Sequence, residues 1–123
     1  MTKKSSKSLL DSVETLIGAN MLIVGNLKTD RTIRIDGKLK GNIETTAGVL
    51  IGADALIEGN IKAEIVMLGG TVKGSILAPE GIEILQKAKM LGDIKTNILT
   101  IAEGAVFEGK SELFKNSNGE ETK

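Results

Sequence analysis

A motif of an apolar residue, any residue and glycine recurs six times in the chain and limits the folds available to it. The motif glycines are separated by 16, 18, 15, 18 and 17 residues. A nearly constant spacing of this kind is typical of repeat proteins, in which each repeat packs only on its neighbours. The six glycines are Gly25, Gly41, Gly59, Gly74, Gly92 and Gly109.

Apolar and polar residues alternate through each repeat. In the segment IEGNIKA, Ile57 and Ile61 fall on the same side as Gly59, and the polar residues between them fall on the other side. A period of two predicts β-strand. A second alternating run, such as Ile33 and Ile35, precedes each motif. Each repeat therefore holds two or three short strands, which make up one coil of a β-solenoid.

The sequence predicts an all-β, single-domain parallel β-helix (β-solenoid) of about six coils, formed by residues 15–113. Residues 1–14 are predicted to be a flexible N-terminal tail. Residues 114–123 are polar and are predicted to be a disordered C-terminal tail.

Outward positions on successive coils support a parallel, in-register stack. Equivalent residues on stacked coils lie about 4.8 Å apart, so like charges there would repel. In two outward rows, like charges never fall on adjacent coils; solubilising an exposed face is the alternative role for these charges. A third row begins with asparagines, for which we expect side chain to side chain hydrogen bonds along the stack. The rows are Val24, Lys40, Glu58, Lys73, Leu91, Glu108; Lys28, Glu44, Lys62, Leu77, Lys95, Glu112; and Asn26, Asn42, Asn60, Ser75, Asp93, Lys110.

The glycine of each motif has two interpretations. A residue without a side chain allows opposite walls of a narrow coil to approach each other. Alternatively, the glycine marks a bend or a bulge in the strand. The sequence alone does not separate these alternatives.

The composition favours a thin, layered core and excludes several functions. Of the 123 residues, 41% are apolar, nearly all of them Ile, Leu, Val and Ala, and Phe107 and Phe114 are the only aromatic residues. The formal net charge is zero, so the electrostatic footprint of a nucleic-acid-binding protein is missing. The chain has no Cys and no apolar run long enough to span a bilayer. We therefore expect a cytoplasmic protein.

Enzymatic interpretations lack the residues that they need. Left-handed hexapeptide-repeat acyltransferases and related carbonic anhydrases depend on His as base or metal ligand, and this chain has no His. The glycine-rich segments lack the Lys-Ser/Thr pair of a phosphate-binding loop. We predict no catalytic, cofactor-binding, nucleotide or metal site. Four carboxylates fall at outward or turn positions and are interpreted as solvated surface charge: Asp54, Glu58, Glu103 and Glu108.

The two ends of the predicted stack have no obvious capping segment, although most solenoids cap theirs. An open end exposes unpaired strand edges and apolar core, so end-to-end association into a filament is expected. In the last coil Phe107 occupies the row of Ile57 and Met90, and Ser111 replaces the usual Ile. This combination suggests an end that meets another end; the alternative is that Phe107 only fills the core.

The segments ETLIGANMLIVGNL, IRIDGKLKGNI, VLIGADALIEGNIKAEIVMLGGTVKGSI and GAVFEG resemble the bactofilin family of bacterial cytoskeletal proteins over about residues 14–113. The resemblance implies a right-handed, roughly triangular β-helix. It also implies nucleotide-independent polymerisation through both end coils into non-polar filaments. Phe107 matches a family Phe that is important for polymerisation. The expected interface residues are Leu16, Ile17, Ile23, Phe107, Ser111 and Leu113.

The resemblance further implies scaffolds on the inner face of the cell membrane that position cell-wall enzymes. Membrane binding in the family often uses a short N-terminal tail. The matching residues would be Met1, Lys3, Lys4, Lys7, Leu9 and Leu10, and a tail that only solubilises the protein is the alternative.

The competing hypothesis for the whole chain is a monomeric β-solenoid that binds a protein partner on one face. Val24, Leu77 and Leu91 interrupt the polar rows and would mark that face.

Overall fold

Within residues 13–114, eighteen short strands form six coils of three strands each. The computed structural model describes residues 13–114, and these contain no helix long and apolar enough to span a bilayer. Coil 1 comprises β1–β3, coil 2 comprises β4–β6, and so on to coil 6 with β16–β18. The strand bounds are β1 Val13–Ile17, β2 Leu22–Val24, β3 Leu27–Thr29, β4 Thr32–Ile35, β5 Lys38–Lys40, β6 Ile43–Thr45, β7 Gly48–Ile51, β8 Leu56–Glu58, β9 Ile61–Lys62, β10 Ile65–Leu68, β11 Thr71–Lys73, β12 Ile76–Ala78, β13 Gly81–Ile84, β14 Lys89–Leu91, β15 Ile94–Thr96, β16 Leu99–Ile101, β17 Val106–Glu108 and β18 Ser111–Glu112.

Each strand of a coil belongs to a different sheet, so three six-stranded parallel sheets enclose the core. Sheet A has the order β1-β4-β7-β10-β13-β16, sheet B has β2-β5-β8-β11-β14-β17, and sheet C has β3-β6-β9-β12-β15-β18. This arrangement confirms the predicted all-β parallel solenoid of six coils. Strand β1 begins at Val13, two residues before the expected start of the β-helix. Most residues of the two predicted tails lie outside the described part of the chain.

Strand pairing is in register, so each residue stacks on its counterpart in the next coil. Ile57 pairs with Val72, and Val72 pairs with Met90. Within the charged rows, residues of opposite charge are neighbours in successive coils, as predicted. For example, Lys40 pairs with Glu58, and Glu58 pairs with Lys73. Within residues 13–114, the ion pairs closer than 4.0 Å lie elsewhere, on Arg31 and Arg34. Because exposed charges interact weakly, these rows chiefly avoid repulsion between coils.

The core is a narrow column of aliphatic side chains that point inward from all three sheets. Ile35, Leu39, Ile57 and Met90 are fully buried, and the core cluster runs from Ile17 to Ile94. A branched aliphatic side chain contributes roughly 1.5–3 kcal/mol when it is fully buried. The predicted core of Ile, Leu, Val and Ala is therefore confirmed.

The motif glycines form the corner between sheet B and sheet C, which settles the two interpretations in favour of a bend. Their φ angles lie between 140° and 155°, a region that residues with a side chain rarely adopt. In coils 2 to 6, a Cβ atom on the glycine would also fall on the carbonyl oxygen of the motif glycine in the preceding coil. Only glycine permits this close stacking of backbone on backbone.

The asparagine row forms hydrogen bonds of a different kind from those predicted. The backbone N–H of Asn42 donates to Oδ1 of Asn26 at 2.9 Å, and the N–H of Asn60 donates to Oδ1 of Asn42 at 2.9 Å. The N–H of Ser75 donates to Oδ1 of Asn60, and that of Lys110 donates to Oδ1 of Asp93. The expectation of side chain to side chain bonds along the row is therefore wrong, apart from the Ser75 hydroxyl, which donates to Asn60. The backbone N–H groups next to the glycine corner therefore donate to side-chain oxygens of the preceding coil.

We predict that Gly92→Ala lowers the melting temperature far more than Gly25→Ala. Both glycines have a φ near 140°, so each substitution carries a backbone strain of about 1–3 kcal/mol. The added Cβ at position 92 would meet the backbone of Gly74, whereas at position 25 nothing lies within 4 Å. Overpacking adds roughly 1–3 kcal/mol, and 1 kcal/mol corresponds to roughly 4–8 °C in a domain of this size. Thermal melts followed by circular dichroism measure the difference, and equal shifts would contradict the steric account.

Candidate assembly surfaces at the two ends

Large exposed apolar side chains are concentrated in the first and last coils. Among residues 13–114, every large apolar side chain that is strongly exposed belongs to one of these coils, whereas the inward apolar residues of coils 2 to 5 are buried. Within residues 13–114 each end coil stacks on a neighbouring coil on one side only, and this accounts for part of the exposure. The exposed residues are Leu16, Met21, Leu22 and Val24 at the N-terminal end, and Ile98, Ile101, Val106 and Leu113 at the C-terminal end.

The N-terminal end presents an apolar layer over the core. Ile23 and Leu27 point inward but are only half-buried, while their partners in coil 2, Leu39 and Ile43, have exposed fractions of 0% and 1%. On the rim, Leu16 and Val24 are 63% and 73% exposed. An aliphatic layer of this kind gains free energy when a second surface covers it.

The C-terminal end presents the ring of Phe107 beside a polar position. Phe107 pairs with Met90, packs against the core and remains half-buried. Ser111 follows the buried Ile94 in its row and is exposed, and Leu113 is 50% exposed. The Nζ atom of Lys95 lies 4.9 Å from the ring centre of Phe114 at the margin of this end. Phe107 therefore both fills the core and contributes to the end surface.

Backbone groups add a second means of association at each end. Within the described chain, the strands of coil 1 pair only with coil 2, and those of coil 6 pair only with coil 5. Among the described residues, each end thus presents three strand edges without a partner strand, the feature on which β-strand addition depends.

The six predicted interface residues divide between the two ends. Leu16 is exposed on the outer face of coil 1, Ile23 is half-buried, and Ile17 is 6% exposed and belongs to the core. Phe107, Ser111 and Leu113 lie together at the opposite end, as described above. The residues of the predicted membrane tail, Met1, Lys3, Lys4, Lys7, Leu9 and Leu10, lie outside the described residues.

Sequence reasoning overlooked several exposed residues of both ends. Val24 was recognised only as an apolar interruption of a charged row, yet it is the most exposed large apolar residue described. Val106 likewise follows Lys89 in its row on sheet B. In both cases an apolar residue at the first or last position of a row lies next to a lysine in the adjacent coil, and this was the available signal. The other overlooked residues are Met21, Leu22, Ile98 and Ile101.

No cluster of three or more His, Cys, Asp or Glu side chains that would hold a metal ion occurs within residues 13–114. The described residues of the two ends do offer exposed apolar side chains and strand edges without a partner strand.

Comparison with known proteins agrees with this architecture. Residues 15–112 match the model of the bactofilin family, described as polymer-forming cytoskeletal. Bactofilin BacO of Myxococcus xanthus is 30% identical over 99 residues, which cover 80% of this chain and 79% of BacO. Bactofilin BacP of the same organism is 27% identical over 109 residues, covering 89% of this chain and 45% of BacP.

Two solved structures share the fold. A cryo-EM reconstruction of Thermus thermophilus bactofilin double helical filaments has 26% identity and a TM-score of 0.72, covering 81% of this chain and 99% of that one. The solid-state NMR structure of the cytoskeletal bactofilin BacA has 29% identity and a TM-score of 0.72, covering 81% of this chain and 95% of that one. With its six-coil β-solenoid and its match over residues 15–112, the chain belongs to the bactofilin family of polymer-forming cytoskeletal proteins.

Proposed function

We propose that this bactofilin polymerises end to end, through both end coils, into filaments that act as a cytoskeletal scaffold. The observation that carries the proposal is the concentration of exposed apolar side chains in coils 1 and 6. Each large side chain buried at a junction contributes roughly 1.5–3 kcal/mol, and strand pairing across the junction adds to this. The filament structure of a relative with the same fold supports the proposal.

Assembly proceeds without nucleotide, cofactor or catalysis in this proposal. No phosphate-binding loop motif occurs in the sequence, and the proposed junctions consist of apolar side chains and strand edges. The chain is accordingly proposed to be a structural protein and not an enzyme.

The filaments are proposed to be non-polar, with N-terminal ends meeting N-terminal ends and C-terminal ends meeting C-terminal ends. Such contacts are isologous, because the same surface is used by both partners. An aliphatic end layer suits this arrangement, because two copies of the same apolar surface meet without placing like charges together.

We further propose a peripheral location at the inner face of the cell membrane, where the filament positions cell-wall enzymes. The N-terminal tail supports membrane contact through Lys3, Lys4 and Lys7 together with Met1, Leu9 and Leu10. Basic residues near an anionic membrane surface each contribute about 1 kcal/mol. Repetition along a filament multiplies a weak tail contact by avidity.

A monomeric protein-binding solenoid is the competing function. Its candidate residues are Val24, which lies at an end, and Leu77 and Leu91, which are half-buried in inner coils. The apolar residues that are most exposed are thus at the ends, which favours end-to-end assembly over binding on a face.

We predict that Val24→Glu prevents filament formation, whereas Leu77→Glu does not. Both variants place a carboxylate next to a lysine of the neighbouring coil, Lys40 for position 24 and Lys62 or Lys95 for position 77. Only position 24 is at an end, where the carboxylate would be buried in a junction at high cost. Negative-stain electron microscopy with circular dichroism on both variants measures this, and filaments of normal length from Val24→Glu would contradict the role of the N-terminal end.

We predict that Val24→Glu and Phe107→Arg each yield folded dimers, and that the double variant yields monomers. In a non-polar filament, blocking one end leaves the other end free to form one isologous contact. In a head-to-tail filament, either single variant would instead give monomers. Sedimentation equilibrium determines the mass, and circular dichroism confirms that Phe107→Arg, which alters a core contact, remains folded. Monomeric wild-type protein at all concentrations would favour the binding-module hypothesis.

We predict that replacing Lys3, Lys4 and Lys7 with Gln in the Val24→Glu/Phe107→Arg background weakens binding to anionic vesicles roughly 100-fold, since three contacts of about 1 kcal/mol are lost. A control variant with Lys38, Lys40 and Lys73 replaced by Gln carries the same net charge but keeps the tail. Co-sedimentation with phosphatidylserine vesicles compares the two. Unchanged binding of the tail variant would leave the tail with a solubilising role only.

A further inference from the structure

One of the three outer faces is apolar in the middle of the stack, although the other two are charged there. The outward positions of sheet B in coils 2 to 5 include Lys38, Lys40, Glu58 and Lys73. Sheet C likewise carries charges in these coils, at Glu44, Lys62 and Lys95. Within coils 2 to 5, the strands of sheet A carry a charged residue only in coil 2 and coil 5, and the outward positions between them are apolar.

The central row of the sheet A face runs along the stack as cation, two apolar residues and anion. Its members, in coils 2 to 5, are Arg34, Leu50, Met67 and Glu83, each paired in register with the next. Leu50 is only 6% exposed despite its outward position. A groove of about 320 Å³ beside the row is lined by Leu50, Ala53, Met67 and Leu85.

Arg34 retains donors that point to a further acceptor. Its Nε atom donates to both carboxylate oxygens of Asp36, at 3.2 and 3.0 Å. Among residues 13–114 no hydrogen bond or ion pair involves its two terminal nitrogens, and its side chain is 39% exposed. A guanidinium group has five N–H donors, so a second carboxylate is readily accommodated.

In the neighbouring row of the same face, the side chain of Ile65 forms a ridge between two glycines. In coils 2 to 5 this row contains Thr32, Gly48, Ile65 and Gly81, and Ile65 pairs with both glycines. A shallow depression of about 160 Å³ lies over Gly81, between Ile65 and Ile98.

We propose that the sheet A face binds the sheet A face of a second copy, through a two-fold axis that runs parallel to the strands and passes between coils 3 and 4. This axis exchanges coil 2 with coil 5 and coil 3 with coil 4 of the partner. In the central row it places Arg34 opposite Glu83 and Leu50 opposite Met67. In the neighbouring row it places Ile65 opposite Gly48, so that a ridge meets a position without a side chain. Both rows are therefore complementary to themselves, in charge and in shape.

A second copy suits this face better than an anionic membrane does. A lipid surface would attract Arg34 but repel Glu83, whereas the two-fold arrangement satisfies both charges in each copy. Complementary charges at the rim of an apolar patch fix the orientation of the partner. The inference rests on the proposed function, because a single side contact is too weak to hold two free subunits together, and only its repetition along the filament joins two filaments side by side.

The test is the mass per unit length of filaments, measured by dark-field scanning transmission electron microscopy. Wild-type protein should give twice the value of a single row of subunits. Glu83→Arg places a second guanidinium group opposite Arg34 of the other copy and should halve this value without shortening the filaments. Adding Arg34→Glu restores opposite charges and should restore the doubled value. Lys89→Glu is the matched control, because it reverses a charge in the same coil on sheet B between the uncharged Thr71 and Val106, and it should leave the mass per length unchanged.

The outcomes separate this inference from the proposed function. Filaments of wild-type protein with the mass of a single row, or paired filaments of Glu83→Arg, would overturn the side contact but leave end-to-end assembly intact. Absence of filaments from wild-type protein would instead overturn the proposed function. Separation of the filaments by Leu9→Ser/Leu10→Ser in the full chain, with no effect of Glu83→Arg, would assign the groove to the N-terminal tail. Should the Arg34→Glu/Glu83→Arg variant fail to fold, Glu83→Arg and Lys89→Glu still decide between these outcomes.

Discussion

In-register parallel pairing between successive coils governs nearly every other feature of this structure. The backbone hydrogen bonds run along the stack, so every side chain lies about 4.8 Å from its counterparts in the coils above and below. Two side chains that repel or clash at equivalent positions of successive coils would therefore be in direct contact. This constraint explains why apolar residues form continuous rows inside, why charges of one sign are kept apart outside, and why the corner position is glycine in every coil. A backbone carbonyl of one coil occupies the space that a Cβ atom would need in the next.

The same strand pairing that holds the coils together leaves the two ends able to associate with another copy. A coil in the middle of the stack is covered on both sides, and its inward residues are almost completely buried, as Leu39 and Ile57 are. The first and last coils have the same strand geometry but one covered side, so Ile23 and Phe107 remain half-buried. Another copy at the end would satisfy the strand edges and apolar layer as an additional coil does. The exposed Leu22 and Val24 extend the apolar surface beyond what the missing coil alone produces.

The sequence predicted the parts of the fold that depend on side-chain alternation, and it missed those that depend on backbone direction. The rows of Ile57 and Glu58 follow directly from a period of two together with a nearly constant repeat, so the solenoid and its register were predictable. The hydrogen bond from the Asn60 amide to the side chain of Asn42 was not, because it depends on the turn of the backbone at Gly59. The family resemblance identified Phe107 as an interface residue, and Val24 stood out as an apolar residue in a charged outward row. The apolar face of sheet A was overlooked, because Leu50 and Met67 lie within runs that are apolar on both sides and their outward direction is evident only from the strand geometry.

The symmetry of the proposed end contacts is compatible with that of the proposed side contact on sheet A. Isologous contacts at the two ends have two-fold axes perpendicular to the long axis of the stack. The side contact on sheet A has its two-fold axis parallel to the strands, which is also perpendicular to that long axis. Six coils place this axis midway along the subunit, between β7 and β10. A subunit in one filament therefore faces an inverted subunit of the other, and inversion of every second subunit is already a property of a non-polar filament. If the end contacts keep sheet A of successive subunits on the same side, two such filaments use one kind of side contact along their length, whereas two polar filaments would have to run in opposite directions to use the same contact.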